Sequence, residues 1–279
     1  LRRFGIVTEP LPDGWAIPGG QRYRSPGAVR AEGDWSNAAF WLAAGALSRP
    51  VTVTGLQAES GQGDRAILED LRRFGAEVEQ NADAVTVRPA PLHGCSLDVR
   101  STPDLAPPLA LLAACAAGTT RITGAARLRY KESDRLASIA AALRALGADV
   151  RTLPDGLEIA GGRLTGGTVD ACGDHRIAMS AAVAACGCTQ PVTVCGSRKG
   201  GVSLRQSCAV LGQLADQLVT SGNHPGGAVI VGLNAVGGQD VRPEQIGGQP
   251  YFRFPAGVAV ALEEVKIAHA VASSSICST

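Results

Sequence analysis

The chain has 279 residues, of which 45% are hydrophobic, and its 26 basic residues nearly balance its 25 acidic ones. This composition supports a large buried core and excludes a chain that is disordered over most of its length. The balanced charge leaves no overall basic field, so we expect no nucleic-acid partner. The most apolar stretch, residues 105–117, is interrupted by Pro107 and Pro108 and is too short to span a bilayer, so no membrane partner is expected.

The cysteines are scattered among small apolar residues and lack the paired spacing of a metal site. They are Cys95, Cys115, Cys172, Cys186, Cys188, Cys195, Cys208 and Cys277. We interpret them as core thiols in a reducing compartment, which makes the cytoplasm the expected location. The sequence opens on Leu1 in the middle of a repeated pattern and contains one methionine, Met179, so an internal fragment is expected. A plastid location stays open, because an upstream targeting segment would not be seen.

An internal repeat of about 70 residues organises the chain. It predicts an apolar helix preceded by an aspartate, a short strand such as 51–54 or 192–194, a polar loop, an amphipathic helix ending in Phe-Gly or Leu-Gly, and two strands near 77–79 and 84–87. A period this long favours a few α/β units that close around a pseudo-threefold axis. The apolar helices are then expected at the centre.

Three aspartates, Asp34, Asp104 and Asp174, recur at intervals of 70 residues at the predicted starts of the apolar helices. Aspartate is a strong N-cap, so capping is one interpretation of all three. Helix N-termini also bind anions, and related units place their equivalent N-termini around one centre. The repeat therefore also indicates a rim where phosphate or carboxylate groups bind.

The densest group of charges, Arg-Leu-Arg-Tyr-Lys-Glu-Ser-Asp-Arg-Leu, lies at residues 127–136, around the start of a predicted helix. If Lys131 and Arg135 both have helical geometry, they share one face and repel each other, so an anion is expected between them. A solvated charged face is the alternative interpretation. The preceding repeat has Asp-Arg at residues 64–65, so Lys131 and Glu132 are additions to a shared scaffold.

A second charged motif, Gly-Asp-His-Arg-Ile-Ala-Met, occupies residues 173–179. Arg176 lies in the first turn of an apolar helix, where the helix dipole disfavours a cation. That position is understandable if its planar guanidinium faces a bound anion. His175 alone is interpreted as structural.

At these residues the chain resembles the 5-enolpyruvylshikimate-3-phosphate synthases, the 3-phosphoshikimate 1-carboxyvinyltransferases of aromatic amino-acid biosynthesis. The resemblance rests on the motifs at 128–136 and 174–179, with support from Gln-Arg-Tyr-Arg-Ser-Pro-Gly at 21–27, Glu-Gly-Asp at 32–34 and Thr-Pro-Asp at 102–104. These motifs run in family order over about 200 residues.

The resemblance implies an α/β fold of two similar lobes, an inside-out α/β barrel in which each lobe has three βαβαββ units around a pseudo-threefold axis. Residues 1–32 would then close an otherwise missing first lobe, and residues 33–215 would form a nearly complete second lobe. Residues 216–279 carry no recognisable site and are expected to be partly disordered or misfolded.

The resemblance also implies transfer of the enolpyruvyl group of phosphoenolpyruvate to the 5-hydroxyl of shikimate 3-phosphate, with release of phosphate and without a cofactor or metal. Asp104 would be the proton acceptor and Glu132 the acid near the methylene carbon. Lys131 would contact shikimate 3-phosphate. Arg135 and Arg176 would bind phosphoenolpyruvate, and Asp174 is a further candidate for substrate binding. A full-length member is expected to be a monomer.

The chain departs from the family pattern after residue 196, where Lys199 stands near the family's late active-site lysine but in an altered context. A reading-frame error near Lys199 would explain the change. Because the first-lobe residues are absent, negligible turnover is expected of this chain by itself. Two alternatives stay open, a truncated inactive lobe that at most binds phosphorylated ligands and the related enolpyruvyl transferase that acts on UDP-N-acetylglucosamine.

Overall fold

The computed structural model describes residues 1–28, 32–82, 84–190 and 192–196, and farther along it describes only the backbone of short strands between 229 and 276. The chain divides into two compact units, residues 1–32 and 33–279. None of the helices among the described residues is long and apolar enough to cross a membrane.

The first unit is a small hairpin with little core of its own. A 3₁₀ helix, Arg2–Phe4, precedes the antiparallel strands β1 (Glu9–Leu11) and β2 (Gly14–Ala16). The side-chain amide of Gln21 accepts a hydrogen bond from the backbone N–H of Val7 at 2.7 Å and donates one to the backbone carbonyl oxygen of Val7 at 3.1 Å. Among its described residues only Ile6 is a buried hydrophobic side chain.

The described residues of the second unit form five α-helices: α1 (Trp35–Leu47), α2 (Ile67–Arg73), α3 (Ala106–Cys115), α4 (Arg135–Ala145) and α5 (His175–Ala184). Helices α1, α3 and α5 pack against one another and are rich in alanine, which allows close approach. Each also packs against strands of its own repeat. These three helices are the central apolar helices that the repeat predicts.

The strands of the second unit form sheets with a recurring topology. They are β3 (Val51–Thr54), β4 (Glu77–Gln80), β5 (Ala84–Arg88), β6 (Ser96–Asp98), β7 (Thr119–Thr123), β8 (Asp149–Leu153), β9 (Gly156–Ala160), β10 (Gly167–Asp170) and β11 (Val192–Cys195). In the order β3-β5-β4 and again in β7-β9-β8 all neighbours are antiparallel. The parallel pair β6-β7 has its counterpart in β10-β11. The strands predicted near 51–54, 77–79, 84–87 and 192–194 are confirmed.

Six further strands are described by their backbone: β12 (Val229–Gly232), β13 (Arg242–Ile246), β14 (Gln249–Arg253), β15 (Ala259–Ala261), β16 (Val265–Ala268) and β17 (Ser273–Ile276). Strand β12 pairs in parallel with β3, while β13, β14 and β15 form an antiparallel sheet. Strand β16 pairs antiparallel with β17, which lies beside β11. The prediction of a partly disordered tail falls largely outside the described residues.

Glycine ends the two amphipathic helices, as the Phe-Gly and Leu-Gly pattern predicts. Gly75 follows α2 with φ 93° and Gly147 follows α4 with φ 90°. A side chain at this left-handed position would be strained, which is why glycine is common after a helix. The chain then turns directly into β4 and β8.

The expectation of core thiols is wrong for Cys172, which is exposed in the turn between β10 and α5 with φ 53°. Cys188 is buried, and Cys95, Cys115, Cys186 and Cys195 are partly buried. Burial raises the pKa of Cys115 and of Cys188 to about 12, so these two thiols stay protonated. Cys208 and Cys277 lie outside the described residues.

Candidate anion-binding site

The predicted site residues meet where α3, α4 and α5 begin. Asp104 lies in the 3₁₀ helix Pro103–Leu105 that leads into α3. Lys131 and Glu132 lie between the 3₁₀ helix Ala126–Tyr130 and the first residue of α4, Arg135. Asp174 and Arg176 lie at the start of α5. Of the predicted residues, Lys199 lies outside the described part of the chain.

Arg135 is the buried centre of the site, with only 1% of its side chain exposed. Its Nη1 donates to Oδ1 of Asp104 at 2.8 Å, its Nε donates to Oδ2 of Asp174 at 2.8 Å, and its Nη2 contacts Glu132. Burial by itself would lower the pKa of Arg135, but the hydrogen bond and charge of Asp174, with those of the other carboxylates, raise it overall. The guanidinium therefore stays charged inside the protein.

Asp174 has two structural partners besides Arg135. Its Oδ1 accepts the backbone N–H of Arg176 at 3.0 Å, which caps α5, and its Oδ2 accepts the hydroxyl of Ser133 at 3.2 Å. The side chain is fully buried. Capping is thus confirmed for Asp174, and a direct contact with substrate stays a prediction.

Asp104 differs from the other two aspartates of the repeat. Asp34 caps α1 by accepting the N–H of Ser36 at 2.9 Å, as Asp174 caps α5. Neither the turn at Asp104 nor helix α3 has a side-chain cap, so the capping interpretation is wrong for Asp104. Its carboxylate instead faces cations.

Three cations surround the carboxylate of Asp104. Besides Arg135, the Nζ of Lys131 lies 3.1 Å from Oδ1 and the Nη2 of Arg176 lies 3.3 Å from Oδ2. Burial raises the pKa of Asp104, but Arg176, Lys131 and Arg135 together outweigh it and hold the pKa below its usual value. Asp104 is therefore ionised at neutral pH.

The helical geometry considered for Lys131 is wrong. Lys131 has extended φ and ψ angles and ends the 3₁₀ helix Ala126–Tyr130, while α4 begins at Arg135 with Asp134 as its N-cap. The two cations nevertheless share an anion, and that anion is Asp104 from the start of the same repeat.

Arg176 has an unused donor. Its side chain is 13% exposed, and among the described residues its Nη1 is buried without a hydrogen-bond partner. A buried guanidinium nitrogen without an acceptor is costly, because it has lost water and gained nothing in exchange. An anionic ligand beside Asp104 would supply that acceptor.

Two residues near the site were not singled out from the sequence. Ser133 links Asp174 to Ser138, whose hydroxyl lies 3.1 Å from that of Ser133. Asp64 is half-buried, and burial raises its pKa, with a further contribution from the charge of Asp104. The repeated Asp-Arg pair at residues 64–65 was the available signal for Asp64.

Among the described residues, the site has no local excess of positive charge. The cations Lys131, Arg135 and Arg176 face the carboxylates of Asp104, Glu132 and Asp174. Burial lowers the pKa of His175, and the charge of Arg176 lowers it further, so His175 adds little charge at neutral pH. Among the described residues, no cluster of His, Cys, Asp and Glu side chains could hold a metal ion.

Solved structures define the class of protein. The chain is 28% identical to the EPSP synthase of Acinetobacter baumannii, with a TM-score of 0.67, over 77% of this chain and 52% of that one. It is 26% identical to the enolpyruvyl transferase NikO of Streptomyces tendae, with a TM-score of 0.54, over 67% of this chain and 44% of that one. The fold is that of the enolpyruvyl transferases, as expected.

Sequence relatives give the family. The family model of EPSP synthase (3-phosphoshikimate 1-carboxyvinyltransferase) matches residues 1–204, and the chain belongs to this family. It is 45% identical to the 3-phosphoshikimate 1-carboxyvinyltransferase of Methanocella arvoryzae over 67% of this chain and 45% of the relative. It is 42% identical to that of Halobacterium salinarum over 77% of this chain and 52% of the relative. The chain thus spans about half the length of the curated relatives it matches.

Proposed function

We propose that this chain supplies the second lobe of an enzyme that transfers the enolpyruvyl group from phosphoenolpyruvate to the 5-hydroxyl of shikimate 3-phosphate. The observation that carries the proposal is the buried Nη1 of Arg176, which has no partner among the described residues and lies beside a carboxylate that already binds three cations. Such a site suits a ligand whose carboxylate or phosphate is bound next to a proton acceptor.

The chemistry requires an addition followed by an elimination. The 5-hydroxyl adds to C2 of phosphoenolpyruvate while a proton is delivered to C3, and loss of a C3 proton with phosphate then restores the double bond. Asp104 would accept the hydroxyl proton, and Glu132, which is 47% exposed, would serve C3. Arg135 and Arg176 would bind the carboxylate and phosphate of phosphoenolpyruvate, and Lys131 the phosphorylated acceptor. No step in this scheme requires an oxidant or a reductant.

The pKa of Asp104 fits a base that is activated by ligand binding. In the present contacts its cations hold the pKa low, which makes it a weak proton acceptor. A bound anion would share those cations and raise the proton affinity of Asp104. Asp174 would contribute by holding Arg135 in place, since its own side chain is fully buried.

The proposed organisation follows the division of the chain at residue 32. Residues 1–32 would close the first lobe, residues 33–215 would form the second, and residues 216–279 are assigned no role. We propose a monomer for the full-length enzyme and the cytoplasm as its compartment, with a plastid as the alternative. Because the chain spans about half the length of its relatives, an inactive lobe that only binds phosphorylated ligands is the second candidate.

Calorimetric titration of shikimate 3-phosphate, with and without phosphoenolpyruvate, tests the proposal. We expect binding that is lost in Lys131→Ala and in Arg135→Ala but kept in Arg88→Ala, whose guanidinium pairs with Glu79 on the surface. Lys131 is partly exposed, so its variant separates lost binding from lost folding. The absence of binding by every form would contradict the proposal for this chain. Phosphate release from both substrates by the purified chain would reject the inactive-lobe alternative.

A further inference from the structure

Each cation of the site already has an acceptor within the protein, although Nη1 of Arg176 has none among the described residues. Oδ1 of Asp104 contacts both Lys131 and Arg135, while Oδ2 of Asp104 contacts Arg176. Glu132 holds the Nη2 of Arg135. An incoming phosphate or carboxylate would therefore compete with side chains of this chain for the same donors.

Within the described part of the chain the charges of the cluster cancel, with three cations facing three carboxylates. Asp64, in the 3₁₀ helix Gly63–Ala66 before α2, is close enough to Asp104 for the two carboxylates to repel each other. The neighbouring Arg129 does not add a net positive charge, because it pairs with Asp134 at 3.2 Å. An anion added to this cluster would meet no net attraction unless a carboxylate moved away or took up a proton.

Solvent exposure distinguishes the carboxylates that a ligand could displace from Arg135 from the one that it could not. Arg135 and Asp174 are 1% and 0% exposed, so their pair is fixed in the core. Asp104 and Glu132 are 29% and 47% exposed and lie on the solvent side of the same guanidinium. The outer carboxylates can therefore leave Arg135 while Asp174 keeps it in position.

We propose that Asp104 and Glu132 are internal competitors of the anionic ligand, so that an anion binds this lobe by displacing them from Lys131, Arg135 and Arg176 and binding is accompanied by proton uptake. This inference concerns the regulation of the proposed enolpyruvyl-transfer site and rests on that function for its ligand. Asp104 and Glu132 then have a role before the reaction begins, because they occupy the cations until an anion binds.

Proton uptake follows from the groups that face Asp104. Lys131 faces it from the loop before α4, Arg135 from the start of α4 and Arg176 from α5, and Asp64 acts on it from the 3₁₀ helix Gly63–Ala66. When an anion shares the three cations, they offset the charge of Asp104 less fully while Asp64 still repels it, and Asp104 binds a proton more readily. Anion binding should accordingly strengthen as the pH falls from 7 toward about 5, where carboxylates begin to protonate.

Sulfate is a suitable probe, because it resembles phosphate and does not titrate in this pH range. We expect Asp104→Asn to bind sulfate at least about tenfold tighter than the parent chain and Glu132→Gln about threefold tighter, since one carboxylate interaction is removed in each. Glu79→Gln changes the net charge equally but removes only a surface partner of Arg88, so its affinity should match the parent. If either Asp104→Asn or Glu132→Gln fails to fold, the other still tests the inference.

Calorimetry in two buffers of different ionisation enthalpy measures the number of protons that the protein takes up when sulfate binds. The parent chain should take up protons on binding sulfate, and Asp104→Asn should take up fewer. Equal or weaker sulfate binding by both Asp104→Asn and Glu132→Gln, or no binding by any form, would overturn the inference. Tighter sulfate binding by the variants without any preference for shikimate 3-phosphate would instead support the inference and contradict the proposed function.

Discussion

The Nε of Arg135 lies 2.8 Å from Oδ2 of Asp174, and this pair joins the first residue of α4 to the N-cap of α5 with both side chains buried. The two residues come from successive repeats of the sequence. One contact thereby ties together two helix starts and orients the guanidinium that carries the rest of the site.

Replacing Arg135 should destabilise the fold much more than replacing Lys131. Arg135→Met would leave the buried carboxylate of Asp174 without its cation and should cost about 3–5 kcal/mol in the free energy of unfolding. Lys131→Met breaks a partly exposed pair and should cost less than about 1 kcal/mol. Urea denaturation measures both. A loss below 1 kcal/mol in Arg135→Met would show that the pair is not essential, and adding Asp174→Asn should recover part of the loss.

The stability contributed by Asp70 should depend on pH. Burial raises the pKa of Asp70 to about 6; the charge of Arg73 opposes this rise and the charge of Glu69 adds to it. Because the unfolded pKa is about 3.9, the folded state holds the proton longer, and stability falls as the pH rises from about 4 through 6. Asp70→Asn should therefore stabilise the chain at pH 7 by about 1 kcal/mol, a value reduced for partial solvent screening.

The same substitution at Asp70 should have almost no effect at pH 4, where both states are largely protonated. Thermal unfolding at several pH values checks this, with Glu69→Gln as the control from the same helix turn. Glu69 forms an exposed pair with Arg73 and its charge helps to raise the pKa of Asp70, so Glu69→Gln should weaken the pH dependence that Asp70→Asn removes. Equal effects of Asp70→Asn at pH 4 and pH 7 would refute the assignment.

Two adjacent glycines should respond differently to alanine. A Cβ on Gly161 would overlap the carbonyl oxygen of Ala116 and lie 2.9 Å from that of Ala113, both at the end of α3. Backbone atoms cannot move aside cheaply, so Gly161→Ala should cost about 1–3 kcal/mol. A Cβ on Gly162 meets nothing within 4 Å, so Gly162→Ala should stay within about 0.5 kcal/mol of the parent. Similar unfolding midpoints for the two variants would contradict this packing.

Thiol reactivity should follow exposure. Brief treatment with a maleimide should modify Cys172, which is exposed, and should spare Cys115 and Cys188, whose pKa values burial raises to about 12. Peptide mapping by mass spectrometry distinguishes these positions. Early modification of Cys115 in the folded chain would show that the ends of α3 and α5 open more readily than their packing indicates.

The repeat predicted most of the fold because it fixes which segments are equivalent. Strands β3 and β5 and the starts of α1 and α5 follow from the periodicity of apolar residues and from the cap residues Asp34 and Asp174. Asp104 was harder to interpret, because Pro103 replaces the glycine that precedes the other two aspartates. Proline begins a 3₁₀ turn with Thr102 as its N-cap, so Asp104 lies inside the turn and its carboxylate is free to face the cations.

The network around Arg135 could not be predicted from spacing alone. The sequence places Lys131 and Arg135 close together, but it does not show that Asp104, about 30 residues earlier, would lie between them. That contact depends on the tertiary packing of the loop before α4 against the start of α3, which spacing does not show. The same holds for the burial of Asp174 and for the unpartnered nitrogen of Arg176.

The ion pairs of the site join segments that are distant in the sequence, since Asp104 precedes α3, Arg135 begins α4 and Asp174 caps α5. Local opening of any one of these helix starts must break contacts to the other two. Amide hydrogens in the first turns of α3, α4 and α5 should therefore exchange with solvent as one cooperative unit. The lobe would then tolerate slow fluctuation at its hairpins without losing the arrangement of its charges.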